Sequence, residues 1–141
     1  MVSKILCAVD GSHASDSAVA FAADLARQLD VPLCFLSVEP VSEERATKAR
    51  FWDSRMLTAA DEQGRQELAD ARRKAEKAGV KDVTCTLVHG RDVDAAIVDY
   101  AGEHGFDQIV AGHTGRTAVS RIGSVAYGVA EKAQCPVTIV H

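Results

Sequence analysis

The stretch Lys4-Ile5-Leu6-Cys7-Ala8-Val9-Asp10-Gly11-Ser12 carries the decisive pattern. Ile5, Leu6 and Val9 mark a short apolar strand over Lys4 to Asp10, Gly11 supplies a turn, and Ser12 is suited to cap a helix. The helix follows directly. Ala18, Ala22, Leu25, Ala26 and Leu29 recur at helical spacing and give one apolar face, which ends before Val31-Pro32. Leu33 to Val38 is nearly all apolar, as expected of a strand covered by helices on both faces. Strand, helix and strand in that order are the unit from which a parallel sheet is built.

The rest of the chain repeats the unit. Glu39 to about Leu57, with Phe51, Trp52 and Met56, reads as an irregular, partly helical connection. From Thr58, a candidate cap, Ala60, Gly64, Leu68, Ala71, Ala75 and Ala78 mark a long helix stopping at Gly79. Val83 to Val88 is a third strand. Val93, Ala96, Ile97, Tyr100 and Ala101 face one side of a third helix, and Gln108 to Ala111 form a fourth strand broken by Gly112. Ser124 to Ala133 is the last helix, and Cys135 to Val140, with Pro136 near its start, the last strand. The expected fold is α/β, five strands and four helices in a doubly wound parallel sheet, with residues 1–141 as one domain.

Composition sets the outer limits. The chain has 141 residues, net charge −4, 47% apolar and 26% charged residues, a profile of globular proteins that need no staple to fold. The acidic balance, with pI near 5.7, argues against nucleic acid as a partner. No apolar run approaches the length needed to cross a bilayer, and no secretory signal opens the chain, so a cytoplasmic location and no membrane partner are expected. Cys7, Cys34, Cys85 and Cys135 show neither a CxxC pair nor zinc spacing and read as free core thiols.

In doubly wound sheets ligands bind beyond the carboxyl ends of the strands, where strand order reverses. Two segments qualify here: Asp10-Gly11-Ser12 after the first strand, and the glycine-bearing run from Gly112 to Val125 after the fourth. Gly112, Gly115 and Gly123 would let an anion approach bare backbone, while the helix start at Ser124 and Val125, with Arg116 or Arg121, would suit a phosphate chain. Asp10 could bond both hydroxyls of a ribose or simply cap the next helix. Neither GxxxxGK[ST] nor GxGxxG is present, so efficient nucleotide hydrolysis is not indicated. His13, His89, His104, His113 and His141 lack metal-ligand spacing, and no metal site is expected among them; His113 is singled out because it lies inside the glycine loop.

These residues together resemble the universal stress proteins, within the adenine-nucleotide alpha hydrolase-like superfamily, over essentially the whole chain. The matching segments are Lys4-Ile5-Leu6 with Val9-Asp10-Gly11-Ser12, Leu36-Ser37-Val38, Val88-His89-Gly90, Gly112 to Gly115, Gly123-Ser124 and Cys135-Pro136-Val137. The resemblance implies a Rossmann-like sheet of order 3-2-1-4-5 and a homodimer formed through Val137 to Val140. It also implies an adenine nucleotide (ATP, ADP or AMP, with Mg accompanying ATP) held by Asp10 at the ribose, the Val38 backbone at adenine, and Gly112, Gly115, Gly123 and Ser124 around the phosphates. The segment Arg116 to Ile122 is shorter than the family's usual spacing between these glycines. The function implied is that of a stress-related regulator working with an unknown protein partner rather than as an enzyme. The alternatives are a nucleotide-free dimer acting by protein contacts alone, and a slow ATP hydrolase or phosphotransferase using His113.

Overall fold

The computed structural model describes residues 1–40, 54–114 and 123–141. Its strands are β1 (Ile5–Ala8), β2 (Leu33–Pro40), β3 (Val83–Gly90), β4 (Gln108–Gly112) and β5 (Val137–Val140). Its helices are α1 (His13–Leu29), α2 (Ser54–Lys77), α3 (Val93–Glu103) and α4 (Ser124–Lys132). All pairings are parallel, in the order β3-β2-β1-β4-β5.

The alternation along β1 sorts the two layers. Ile5, Cys7 and Val9 join Phe35, Leu33, Val110, the α1 alanines and Leu68, Ala71 and Ala75 of α2 in one cluster. Leu6 joins Leu36, Ile97, Ala101, Ile109 and Val129 in the other, so α1 and α2 cover one face and α3 and α4 the opposite one. Ala18, Ala22, Ala23 and Ala26 let α1 lie close to the sheet, and Phe35 is fully buried beneath it. Truncating Phe35 to alanine would cost about 3–5 kcal/mol. The four cysteines are free thiols; Cys7 and Cys34 are buried, and burial, then the neighbouring Cys34, pushes the Cys7 thiol far up.

Helix ends follow local chemistry. Ser12 caps α1, its hydroxyl accepting from the Ser15 amide at 3.1 Å. At the far end Asp30 takes a left-handed conformation (φ 55°, ψ 52°), and the Val31 amide donates back to the Ala26 carbonyl at 3.1 Å. Gly79 (φ 101°) plays the same part after α2, where the Val80 amide donates to the Ala75 carbonyl at 3.1 Å. Helices α3 and α4 are locked by Asp94, whose carboxylate accepts from Lys132 Nζ at 2.7 Å and fills the space that a side chain at Gly128 would need.

Several expected boundaries move. β1 stops at Ala8 rather than Asp10, because the Asp10-Ser12 turn takes over the backbone. β2 and β3 run on to Pro40 and Gly90, past Val38 and Val88, since Glu39 pairs with His89 and Pro40 with Gly90 in a continuing ladder. α2 begins at Ser54, so Thr58 lies inside the helix rather than at its cap. α4 ends at Lys132 with Ala133 as its cap, and β5 begins at Val137. Phe51 and Trp52 lie outside the described residues.

Candidate functional site

The strand order places the reversal between β1 and β4, which run side by side with Cys7 opposite Val110. The crevice beyond their carboxyl ends is built from three short segments.

The first is the turn after β1. The Ser12 amide donates to Asp10 Oδ1 at 2.9 Å, and the Asp10 amide donates to Ser15 Oγ at 3.1 Å. A carboxylate that accepts from the amide two residues on forms an Asx-turn. Of the two roles open to Asp10 in the sequence, helix capping goes to Ser12, and Asp10 instead fixes the turn just before it. Gly11, at φ 78°, has the conformation that glycine supplies most readily. The Glu67 carboxylate of α2 stands where a β-carbon on Gly11 would be.

The second segment is the end of β4. The His113 amide donates to the Val140 carbonyl at 2.7 Å, and the His113 ring lies 4.5 Å from that of His141. Gly112 approaches α1 so closely that an added β-carbon would sit 2.7–2.9 Å from backbone atoms of Ala14 and Ser15. Its lack of a side chain thus has a packing reason of its own.

The third is the start of α4. The Gly123 amide donates to the His113 carbonyl at 2.7 Å, so Gly123 is tied to the end of β4. Gly123 caps α4 in an extended conformation (φ −68°, ψ 161°) with no side-chain cap. The first helical bond runs from the Tyr127 amide to the Gly123 carbonyl at 3.0 Å. The amides of Ser124, Val125 and Ala126 therefore precede the helical ladder, at its electropositive end. Ser124 and Val125 are exposed. A long contact of 3.5 Å from Ser12 Oγ to the Thr114 carbonyl joins the first segment to the second.

Val38 stands on the other flank of β1. The Leu33 amide donates to the Asp82 carbonyl, so odd-numbered β2 residues bond to β3 and even-numbered ones face β1. The last rung between these strands is the Val9 amide on the Leu36 carbonyl at 2.9 Å. Val38 lies one repeat further on and presents its amide and carbonyl past the end of β1, while its side chain packs in the core under α3.

The structure thus brings Asp10, Gly112, Gly123, Ser124 and Val125 to one rim, with the Val38 backbone on the near side. Gly115, Arg116 and Arg121 lie outside the described residues. Sequence reasoning missed Glu67 at this rim. It also missed the buried polar pair Ser37 and Glu39 (2% and 7% exposed), beside Gly64 on α2. The one available signal was Gly64 itself, a glycine in the apolar stripe of a helix, which marks close approach. His89 is hydrogen-bonded to Asp61 at 2.8 Å. Among the described residues no group of three or more His, Cys, Asp or Glu is placed to hold a metal, and no helix is long and apolar enough to cross a membrane.

The chain and its fold have known counterparts. The model of the universal stress protein family matches residues 1–141. A universal stress protein of Methanocaldococcus jannaschii is 32% identical over 139 residues, covering 97% of this chain and 81% of the relative. A universal stress protein solved in complex with cAMP is 27% identical with a TM-score of 0.71, covering 99% of this chain and 97% of the other. The universal stress protein of Archaeoglobus fulgidus solved in complex with dAMP is 26% identical with a TM-score of 0.70, each chain covered in full. On the family match along its whole length and the sheet order it shares, this chain belongs to the universal stress protein family.

Proposed function

We propose that the crevice between β1 and β4 binds an adenine nucleotide and that the protein acts as a regulator rather than as an efficient enzyme. In this reading the Asp10 carboxylate receives the ribose hydroxyls and the Val38 amide and carbonyl meet the edge of the base. The phosphates lie against Gly112, Gly115 and Gly123, the amides of Ser124 and Val125, and Arg116. The observation that carries the reading is the rim itself: an acidic turn and an uncapped helix start, linked through Thr114 and His113, face each other across the strand reversal. The relatives with cAMP and dAMP support the adenine class. Charge-assisted hydrogen bonds contribute about 1.5–3 kcal/mol each, so a few of them reach micromolar affinity after ordering costs. Mg²⁺ would arrive on the phosphates of ATP, held by them and by water.

The same reading includes a homodimer through Val137 to Val140, an edge strand whose four residues are all only partly buried, and a cytoplasmic location. Isothermal titration of nucleotide-stripped protein with ATP, ADP and AMP tests the binding, and the expected result is a saturable heat with at least one of them. No heat at high micromolar ligand would retire the proposal. Native mass spectrometry reads dimer mass and bound ligand together.

A further inference from the structure

The opposite edge of the sheet is furnished differently. β3 is eight residues long, Val83-Thr84-Cys85-Thr86-Leu87-Val88-His89-Gly90, and among the described residues it borders only β2. Its register sets which backbone groups remain outward: the Asp82 carbonyl and its even-numbered successors bond β2, so the amides and carbonyls of Val83, Cys85, Leu87 and His89 point away from the sheet. Among the described residues, Arg72 takes one of these groups, donating to the Val83 carbonyl at 2.8 Å, and is itself paired with Glu76 at 2.9 Å. Lysine, proline and bulges, by which proteins commonly blunt such an edge, are absent from this strand.

Beside this edge, between β3 and the outer flank of α3, runs a groove of about 360 Å³. Asp92, Asp99 and Glu103 line it, all three exposed. The basic residues of the lining are Arg91, itself engaged within the fold, and His89, which is paired with Asp61. Tyr100, whose hydroxyl contacts Thr86 Oγ1 at 3.0 Å, forms part of its wall.

We propose that the β3 edge docks an extended segment of a partner protein carrying lysine or arginine at alternate positions. The outward amides and carbonyls supply the ladder of an added strand, and the acidic flank of α3 chooses the charge of the side chains that fall on its side. The spacing fits. From Asp92 to Glu103 the helix rises about 16 Å, the length of about five strand residues, so three alternate side chains of an added strand span the carboxylates. The groove lies on the far edge from β5, so this surface is independent of the proposed dimer; at its inner end Val88 pairs with Val38, the base-side residue of the nucleotide reading.

The probe is a labelled nine-residue peptide alternating lysine with valine. Its controls are the glutamate–valine counterpart and a lysine–valine peptide N-methylated on alternate residues, with binding followed by fluorescence anisotropy. Backbone amide shifts of the full chain are recorded in parallel. The lysine peptide should bind at least about tenfold tighter than either control at low salt and weaken as salt rises. The amides of Cys85, Leu87 and His89 should shift and gain exchange protection. The double variant Asp99→Lys with Glu103→Lys, both exposed and outside the crevice, should lose the peptide while keeping its melting temperature. Equal binding of lysine and glutamate peptides, or shifts confined to other elements, would overturn the proposal. So would a β3 edge that answers only to protein concentration, which would assign it to self-pairing.

Discussion

Replacing Gly112 with alanine separates two reasons for a glycine at this position. The φ of Gly112 is not in the left-handed region, so backbone strain plays no part. What matters is space: the new β-carbon would stand 2.7 Å from the Ala14 carbonyl carbon and 2.9 Å from both the Ala14 oxygen and the Ser15 nitrogen. Ordinary carbon contacts lie near 3.5–4.0 Å, so the first turn of α1 and the end of β4 must separate by roughly 1 Å, and both are backbone. Overpacking of this kind costs about 1–3 kcal/mol and more where nothing flexible can yield. For a chain of this size each kcal/mol lowers the melting temperature by about 2–4 °C, so a loss of about 5–10 °C is expected. The same movement pulls Ser12 from Thr114 and should weaken nucleotide binding as well. Thermal denaturation followed by circular dichroism, with and without nucleotide, is the assay. A variant with the wild-type melting temperature would refute the packing argument; if it also failed to bind nucleotide, the glycine would serve ligand approach alone.

Asp10→Asn keeps the acceptor for the Ser12 amide and should retain wild-type stability while losing about 10- to 100-fold in nucleotide affinity, the value of a charged hydrogen bond; calorimetry that finds equal affinity would reduce Asp10 to a turn residue. Asp30→Gly relieves a left-handed aspartate and should stabilise the fold by about 0.5–1 kcal/mol in urea titration. The Lys132 hydrogen bond, foremost among its partners, holds the Asp94 carboxyl below its ordinary value of 3.8. Its contribution is therefore complete above the unfolded-state value and is lost as pH falls through the lower folded-state value. Wild type should be more stable than Asp94→Asn at neutral pH, with the gap closing only in strong acid, and a gap that is constant with pH would exclude the ion pair as its cause.

Much of this architecture is legible from periodicity alone. The alanine stripe of α1, the apolar run of β2 and the glycine stops each report a local requirement, and helices of this kind have few other folds open to them. The boundaries that moved are those decided by neighbours. Glu39 and Pro40 have poor strand character, yet the ladder to His89 and Gly90 carries β2 through them. Asp10, Gly112 and Gly123 stand out in the sequence because ligands gather at strand reversals, but their local bonds are not legible there. Which of Asp10 and Ser12 caps α1 depends on a turn geometry that both sequences of events would fit. Glu67 escaped notice because charge on a helix reads as solvated, and only the path of α2 past Gly11 brings it to the rim.

His113 joins two parts of the molecule through one peptide unit on either side of its α-carbon. Its amide holds Val140 on the outermost strand, and its carbonyl holds Gly123 at the mouth of the crevice. A guest seated at the start of α4 would therefore rest one hydrogen-bonded residue away from the strand at the margin of the sheet.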